Sequence, residues 1–259
     1  MYDLNIWTIV LLCVAAAAAG WIDAVSGGGG MIQLPALLIA LPAGSEVNAL
    51  ATNKLSSIFG TATAARTYVK HIAPDWKTAI PMAIVAGAFA GLGAWSAHLV
   101  PTRFFASGAI IALSIVWIWI LLTPVLGSVT VLRWQGSQKH YVAAIIVGAV
   151  IGFYDGIFGP GTGSFLLVAL VGILGYSFLM ASSTAKFVNL GTNAAALIVF
   201  GFTGSILWLL GLLLAAFNIA GAFLGARIAI SRGSSFVRVV FLGVVAVLII
   251  RLVWDTWLL

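Results

Sequence analysis

Residues 20–35 read GWIDAVSGGGGMIQLP. Four glycines follow an aspartate in a chain that is otherwise oily. Each glycine costs a helix about 1 kcal/mol relative to alanine. An aspartate at mid-bilayer costs about 2.5–3.5 kcal/mol even on the mild insertion scale. The stretch reads as a break built into a membrane helix, and the question is what the break faces.

The rest of the chain supplies the membrane. It has 259 residues, 63% of them hydrophobic and 7% charged, and a mean hydropathy of +1.18. Soluble domains carry roughly 25% charged residues, so an ordinary water-soluble globule is excluded. Runs 79–99, 104–122, 206–230 and 236–257 have the length of a lipid-spanning helix, ~20 residues. A barrel would need apolar and polar residues to alternate. The expected fold is all-α, a polytopic membrane protein with one transmembrane domain over 1–259. The opening MYDLNIW has no Lys or Arg before the first apolar run, which argues against a cleaved signal peptide. Cys13 is the only cysteine, so no disulfide framework is expected. The net charge of +6 fits cationic cytoplasmic loops better than nucleic acid.

The break recurs. WIDAVSGGGG at 21–30 is matched by FYDGIFGPGTG at 153–163, and ALATNKLSS at 49–57 by ASSTAKFVN at 181–189. Asp23 and Asp155, Lys54 and Lys186, and Trp76 and Trp208 are all 132 positions apart, and each lysine follows its aspartate by 31. This predicts a two-fold duplication: a first repeat at about 1–123, a linker at about 124–140 and a second repeat at about 141–259. Five apolar segments are expected in each half, at 5–25, 31–43, 46–69, 78–99 and 104–123, then 141–157, 163–175, 178–203, 206–230 and 236–257. The second segment of each half, ~13 residues, spans only ~20 Å as a helix.

Loop charge orients the halves. Arg66, Lys70 and Lys77 flank the loop after the third segment of the first half, whereas Arg227, Arg232 and Arg238 flank the loop after the fourth segment of the second. By the positive-inside rule the halves are inverted, which requires an odd number of crossings in each. The loops near 66–77, 133–139 and 227–238 are then cytoplasmic; Arg251 fits this poorly. The alternative is eight spans, with re-entrant short segments and parallel halves.

Asp23, Lys54, Asp155 and Lys186 are the charges deep in apolar segments at matching places. Each lysine is eight residues into its segment, ~12 Å along a helix and near the midplane of a ~30 Å core. One reading is a pair of structural Asp–Lys contacts that hold the bundle together. The other is a central anion site. Gly27, Gly28, Gly29 and Gly30, with Gly159, Gly161 and Gly163 beside Thr162, would free backbone N–H groups, and the helix that starts after each run would aim its positive end at the break. Gln33, Thr52, Asn53, Thr184, Asn189 and Asn193 are the candidate polar ligands nearby, with Ser56, Ser57, Ser164, Ser182, Ser183 and Thr192 in the same stretches. Hydroxyls on helices also bond back to their own backbone. Thr61 and Thr63 lie further along the third segment, where Arg66 reads as an end anchor. A P-loop lacks its G-K-[ST] here. His71, His98 and His140 sit at segment ends, with no zinc or catalytic arrangement. No cofactor, metal site or catalytic residue is expected.

The paired motifs GWIDAVSGGGGMIQLPALL with ALATNKLSSIFGT, and GFYDGIFGPGTGSF with STAKFVNLGTN, resemble the TauE/SafE sulfite-exporter family, also called the toluene sulfonate uptake permeases. The resemblance covers nearly the whole chain and points to its bacterial inner-membrane branch. It implies transport of sulfur-containing anions such as sulfite or sulfoacetate, and seven or eight spans from a four-helix duplication. The resulting expectation is a secondary transporter, not an enzyme, driven by gradients because no ATP motif is present. Asp23 and Asp155 would pair with the lysines or couple ions, including protons. A passive anion channel and a cation transporter built on Asp23 and Asp155 are the rivals; an intramembrane enzyme lacks its nucleophile and base. The expected partners are a small anion and the lipid bilayer, without nucleic acid, and a homo-oligomer is compatible with the sequence.

Overall fold

The computed structural model describes residues 4–96, 110, 114–115, 117–123, 125–134 and 136–254. Among these there is no strand. The helices are α1 (Ile6–Ser26), α2 (Gly30–Ala40), α3 (Glu46–Val69), α4 (Trp76–Ser96), α5 (Gln138–Ile157), α6 (Thr162–Ala169), α7 (Phe178–Phe202) and α8 (Trp208–Val253). A π-turn, Leu170–Leu174, extends α6. Most of the expected segment 104–123, with His98 and Arg103, lies outside the described residues; its last stretch, 117–122, is helical.

Five helices, α1, α4, α5, α7 and α8, are long and apolar enough to cross a membrane. α3 is not among them, unlike in the sequence reading. Its buried face carries Thr52, Asn53, Lys54, Ser56 and Thr61, which lowers its apolarity but points at other helices rather than at lipid. The outer surface is the reverse: Trp7, Leu11, Val14, Ile84, Trp95, Val150 and Phe202 are exposed. Polar inside and oily outside is the arrangement for a multi-pass membrane protein.

α8 is 46 residues long and non-helical at Gly233 (φ 76°, ψ −172°). Gly225 packs against Trp21 of α1, and Val244 packs against Gly28 just beyond α1. A straight helix would hold residues 225 and 244 ~28 Å apart. The chain therefore folds back at Gly233, where a positive φ favours glycine. The two arms match the two expected segments on either side of 231–235.

Neighbouring contacts give the helix directions. Asn48 of α3 donates to Ser205 O beyond the end of α7, and Lys54 to Asn193. Thr61, further along α3, donates to Asp23, which also takes Lys186 near the start of α7. α3 and α7 thus run antiparallel. α1 packs on the first arm of α8 in parallel, with Ala17 against Gly221 and Trp21 against Gly225. α4 packs on α5 in the same way, with Met82 against Gly148 and Ala86 against Gly152. Glycines at these crossings let the backbones approach closely. Helix starts at 6, 30, 46 and 76 are followed by starts at 138, 162, 178 and 208, a constant separation of 132.

One end of the bundle gathers cations. The end of α3 (Arg66, Lys70), the start of α4 (Lys77), the start of α5 (Arg133, Lys139) and the bend of α8 (Arg227, Arg232, Arg238) lie there. They are tied together by Tyr176 Oη donating to Asp75 (2.9 Å), by His140 Nε2 against Thr78 Oγ1 (3.2 Å) and by Leu179 N donating to Ser234 Oγ (3.3 Å).

Candidate functional site

The first break is made by the end of α1. Gly27 sits in the left-handed region (φ 82°) and its N–H bonds to Asp23 O. A helix leaves its last four carbonyls without helical partners. Here the other three are satisfied from elsewhere: Tyr68 Oη donates to Ala24 O (3.0 Å), Ser182 Oγ to Val25 O (3.4 Å) and Ser164 Oγ to Ser26 O (2.9 Å). The helix end is thus held inside the protein, where irregular backbone is tolerated at membrane depth. The second break, after α5, uses Gly159 and Gly161, both also left-handed. The two breaks touch: Gly27 and Gly163 pack backbone to backbone with no room for a Cβ on either.

Two ion pairs flank this contact, and both cross the molecule. Lys54 Nζ of α3 lies 2.6 Å from Asp155 Oδ1 of α5, and Lys186 Nζ of α7 lies 2.9 Å from Asp23 Oδ2 of α1. Neither lysine takes the aspartate 31 residues before it. Lys54 also donates to Asn193 Oδ1 (3.1 Å), and Thr162 Oγ1 donates to Asp155 Oδ1 (2.7 Å). The Lys54, Lys186 and Asp155 side chains are nearly fully buried, while that of Asp23 is 16% exposed.

A cavity of about 30 Å³, room for about one water, lies beside the Lys54–Asp155 pair and reaches Asp23 of the other pair. Asp23, Lys54, Asn53, Asp155, Asn189 and Asn193 line it, together with Gly30, Gly161, Thr162 and Gly163. Gly30 and Thr162 are the first residues of α2 and α6, so two helix N-termini, each with a partial positive charge, open on the same space.

Four further residues line the cavity: Gly27 and Gly159 from the two glycine runs, Ser57 from the polar stretch after Lys54, and Thr61 further along α3. Ser57 and Thr61 follow Lys54 by three and seven residues, as Asn189 and Asn193 follow Lys186, which puts each trio on one helix face. Gly27 and Gly159 are again 132 apart.

Other expected ligands point elsewhere. Thr52 accepts from Leu207 N (3.2 Å) at the start of α8. Gln33 is buried against Asn218, which donates to it (2.9 Å). Thr184 is buried with its hydroxyl unpartnered. Gly28 faces an apolar groove with Met31 and Val244, and Gly29 packs against Ala19. Among the described residues no group of His, Cys, Asp and Glu could hold a metal ion.

In a medium of low dielectric, four charges of balanced sign are tolerated because each is paired and hydrogen-bonded. An anion entering the cavity would compete with Asp155 and Asp23 for the lysines.

Comparison with known proteins agrees with a transport role. The chain is 38% identical over 257 residues to probable membrane transporter protein ORF9 of Sinorhizobium sp, covering 98% of this chain and 96% of that one. It is 32% identical to probable membrane transporter protein YfcA of Escherichia coli (strain K12), covering 95% and 90%. A probable membrane transporter protein of Haemophilus influenzae is 30% identical, covering 98% and 97%. No solved structure matches. Residues 12–252 match the family described as sulfite exporter TauE/SafE. With a multi-pass helical bundle and charged residues at its centre, this chain belongs to the TauE/SafE family, a family of transporters rather than enzymes.

Proposed function

We propose that this chain is a secondary transporter of small sulfur-containing anions, sulfite or an organosulfonate such as sulfoacetate, in the bacterial inner membrane. The observation that carries the reading is a cavity where two helix N-termini meet, lined by Lys54 and by both aspartates, with Lys186 held just behind Asp23. Lys54 and Lys186 bind the oxyanion. Asn53, Thr162, Asn189 and Asn193 supply neutral hydrogen bonds, and the N–H groups at Gly30 and Gly161–Gly163 add partial positive charge. Asp23 and Asp155 neutralise the lysines when no anion is bound and couple transport to an ion.

The architecture we infer is two inverted halves with the site between them, as in many secondary transporters. The constant 132-residue separation of helix starts supports it. So does the antiparallel run of α3 and α7, the corresponding helices of the two halves. The cation-rich end is cytoplasmic by the positive-inside rule.

Purified protein in proteoliposomes should take up sulfite or sulfoacetate in a screen that also holds sulfate, taurine and thiosulfate. Uptake should saturate, show counterflow, and disappear in Lys54→Ala and Lys186→Ala. Uptake without saturation or counterflow would make it a channel. Flux driven by Na⁺ or pH with no dependence on the anion would make it a cation transporter. Normal anion transport by both lysine variants would remove the proposed site.

A further inference from the structure

The two aspartates differ in a way that divides the work between them. Asp155 Oδ1 receives both Lys54 (2.6 Å) and Thr162 (2.7 Å). Its other oxygen, Oδ2, is buried and has no hydrogen-bond partner from the protein. Asn53 lines the same cavity, and its Oδ1 is likewise buried and unpartnered. Unpaired buried acceptors are rare because each forfeits about 1–3 kcal/mol. Two of them belong to residues that line one space of about 30 Å³, large enough for a hydrogen-bond donor of the size of water. Asp23 is different. It takes Lys186 (2.9 Å) and Thr61 (3.4 Å) on Oδ2, and its side chain is partly exposed.

We propose that Asp155 is the proton-binding carboxylate of this transporter, and that Asp23, whose side chain is partly exposed, stays ionised when Lys186 turns to the anion. The assignment rests on the transport reading above. When an anion draws Lys54 away, Asp155 is left as a buried carboxylate without its cation, and such a group neutralises itself by taking a proton. The proton arrives from the cavity on Oδ2, while the Thr162 hydroxyl keeps its bond to Oδ1. One anion and one proton then occupy the site together. The charged groups around Asp155 are Lys54 from α3 and, across the cavity, Asp23 from α1 with Lys186 from α7. Tyr154, beside it on α5, is turned away and donates to Pro160 O (2.7 Å).

The test uses the purified full chain in detergent with sulfoacetate, whose charge is constant near neutral pH. Adding sulfoacetate to the wild type should draw protons from a weakly buffered solution containing a pH dye. It should also raise a protonated-carboxyl band in the infrared difference spectrum. Compared per sulfoacetate bound, Asp155→Glu should shift or abolish that band, and Asp23→Glu should leave its position unchanged. Sulfoacetate binding with no proton uptake overturns this assignment and spares the transport reading. A band that moves in Asp23→Glu, or is lost in both variants, overturns it too. Absence of binding to sulfoacetate and to every other anion in the uptake screen overturns the transport reading and the assignment with it.

Discussion

Lys54 Nζ and Asp155 Oδ1 lie 2.6 Å apart although 101 residues separate them in the chain. Lys54 instead ignores Asp23, the nearer of the two cavity aspartates in sequence, which bonds Lys186 across 163 residues. The two pairs therefore stitch early helices to late ones at the level of the cavity.

Removing one partner of such a pair leaves a buried charge alone, which costs about 3–5 kcal/mol. Lys54→Ala should lower the thermal unfolding temperature in detergent and abolish anion uptake. Lys54→Ala combined with Asp155→Ala removes both charges, so it should recover much of the stability and none of the transport. A double variant as unstable as the single one would show that the lone carboxylate is not the cause.

The glycine contact makes a sharper contrast. Gly163→Ala has no space, because its new methyl would meet the Gly27 backbone. It should yield little folded protein or a transporter without activity. Gly91→Ala, in α4 with nothing within reach of a Cβ, should be neutral or stabilise by up to about 1 kcal/mol. Thermal unfolding and size-exclusion profiles in detergent compare the two.

Thr162→Val keeps the shape of the side chain and removes the donor to Asp155 (2.7 Å). Hydrogen bonds to charged groups contribute about 1.5–3 kcal/mol. The variant should remain folded with a lowered unfolding temperature, and its uptake should show a raised KM or a shifted pH profile. Uptake kinetics indistinguishable from wild type would place Thr162 outside the working site.

At the cation-rich end, burial chiefly, with the Asp75 carboxylate adding to it, holds the Tyr176 phenol well above its ordinary value of 10.0. The folded chain keeps this proton where the unfolded chain has lost it. The contribution to stability is complete below pH 10.0 and is lost as pH rises beyond it. Tyr176→Phe should make the alkaline decline of the unfolding temperature shallower, measured from neutral pH to above 10.0.

Much of this was legible in the residues. The segment expected at 46–69 matches α3 residue for residue, and the short segments appear as α2 and as α6 with its π-turn. Position along a helix follows from counting, so the depth of the lysines could be read. Position around a helix follows from 100° per residue, and it separates cavity-lining residues from their sequence neighbours. Thr52 and Thr184 stand two residues before their lysines, on nearly the opposite face. Ser57 and Thr61 share the face of Lys54, and Asn189 and Asn193 that of Lys186. Which aspartate meets which lysine could not be counted at all, because it depends on how distant helices pack. Gln33 failed for the same reason: one turn beyond Gly30, it meets Asn218 from α8.

The crossed pairs also set an order for biogenesis. A ribosome adds 101 residues in roughly 5–20 s. For that time the nascent first half holds Asp23 and Lys54 in the membrane with neither final partner made. Asp23 waits longer still, until residue 186 emerges. The centre of the molecule is thus completed near the end of synthesis, and a chain truncated before α7 would be left with an unmatched aspartate for quality-control proteases to find.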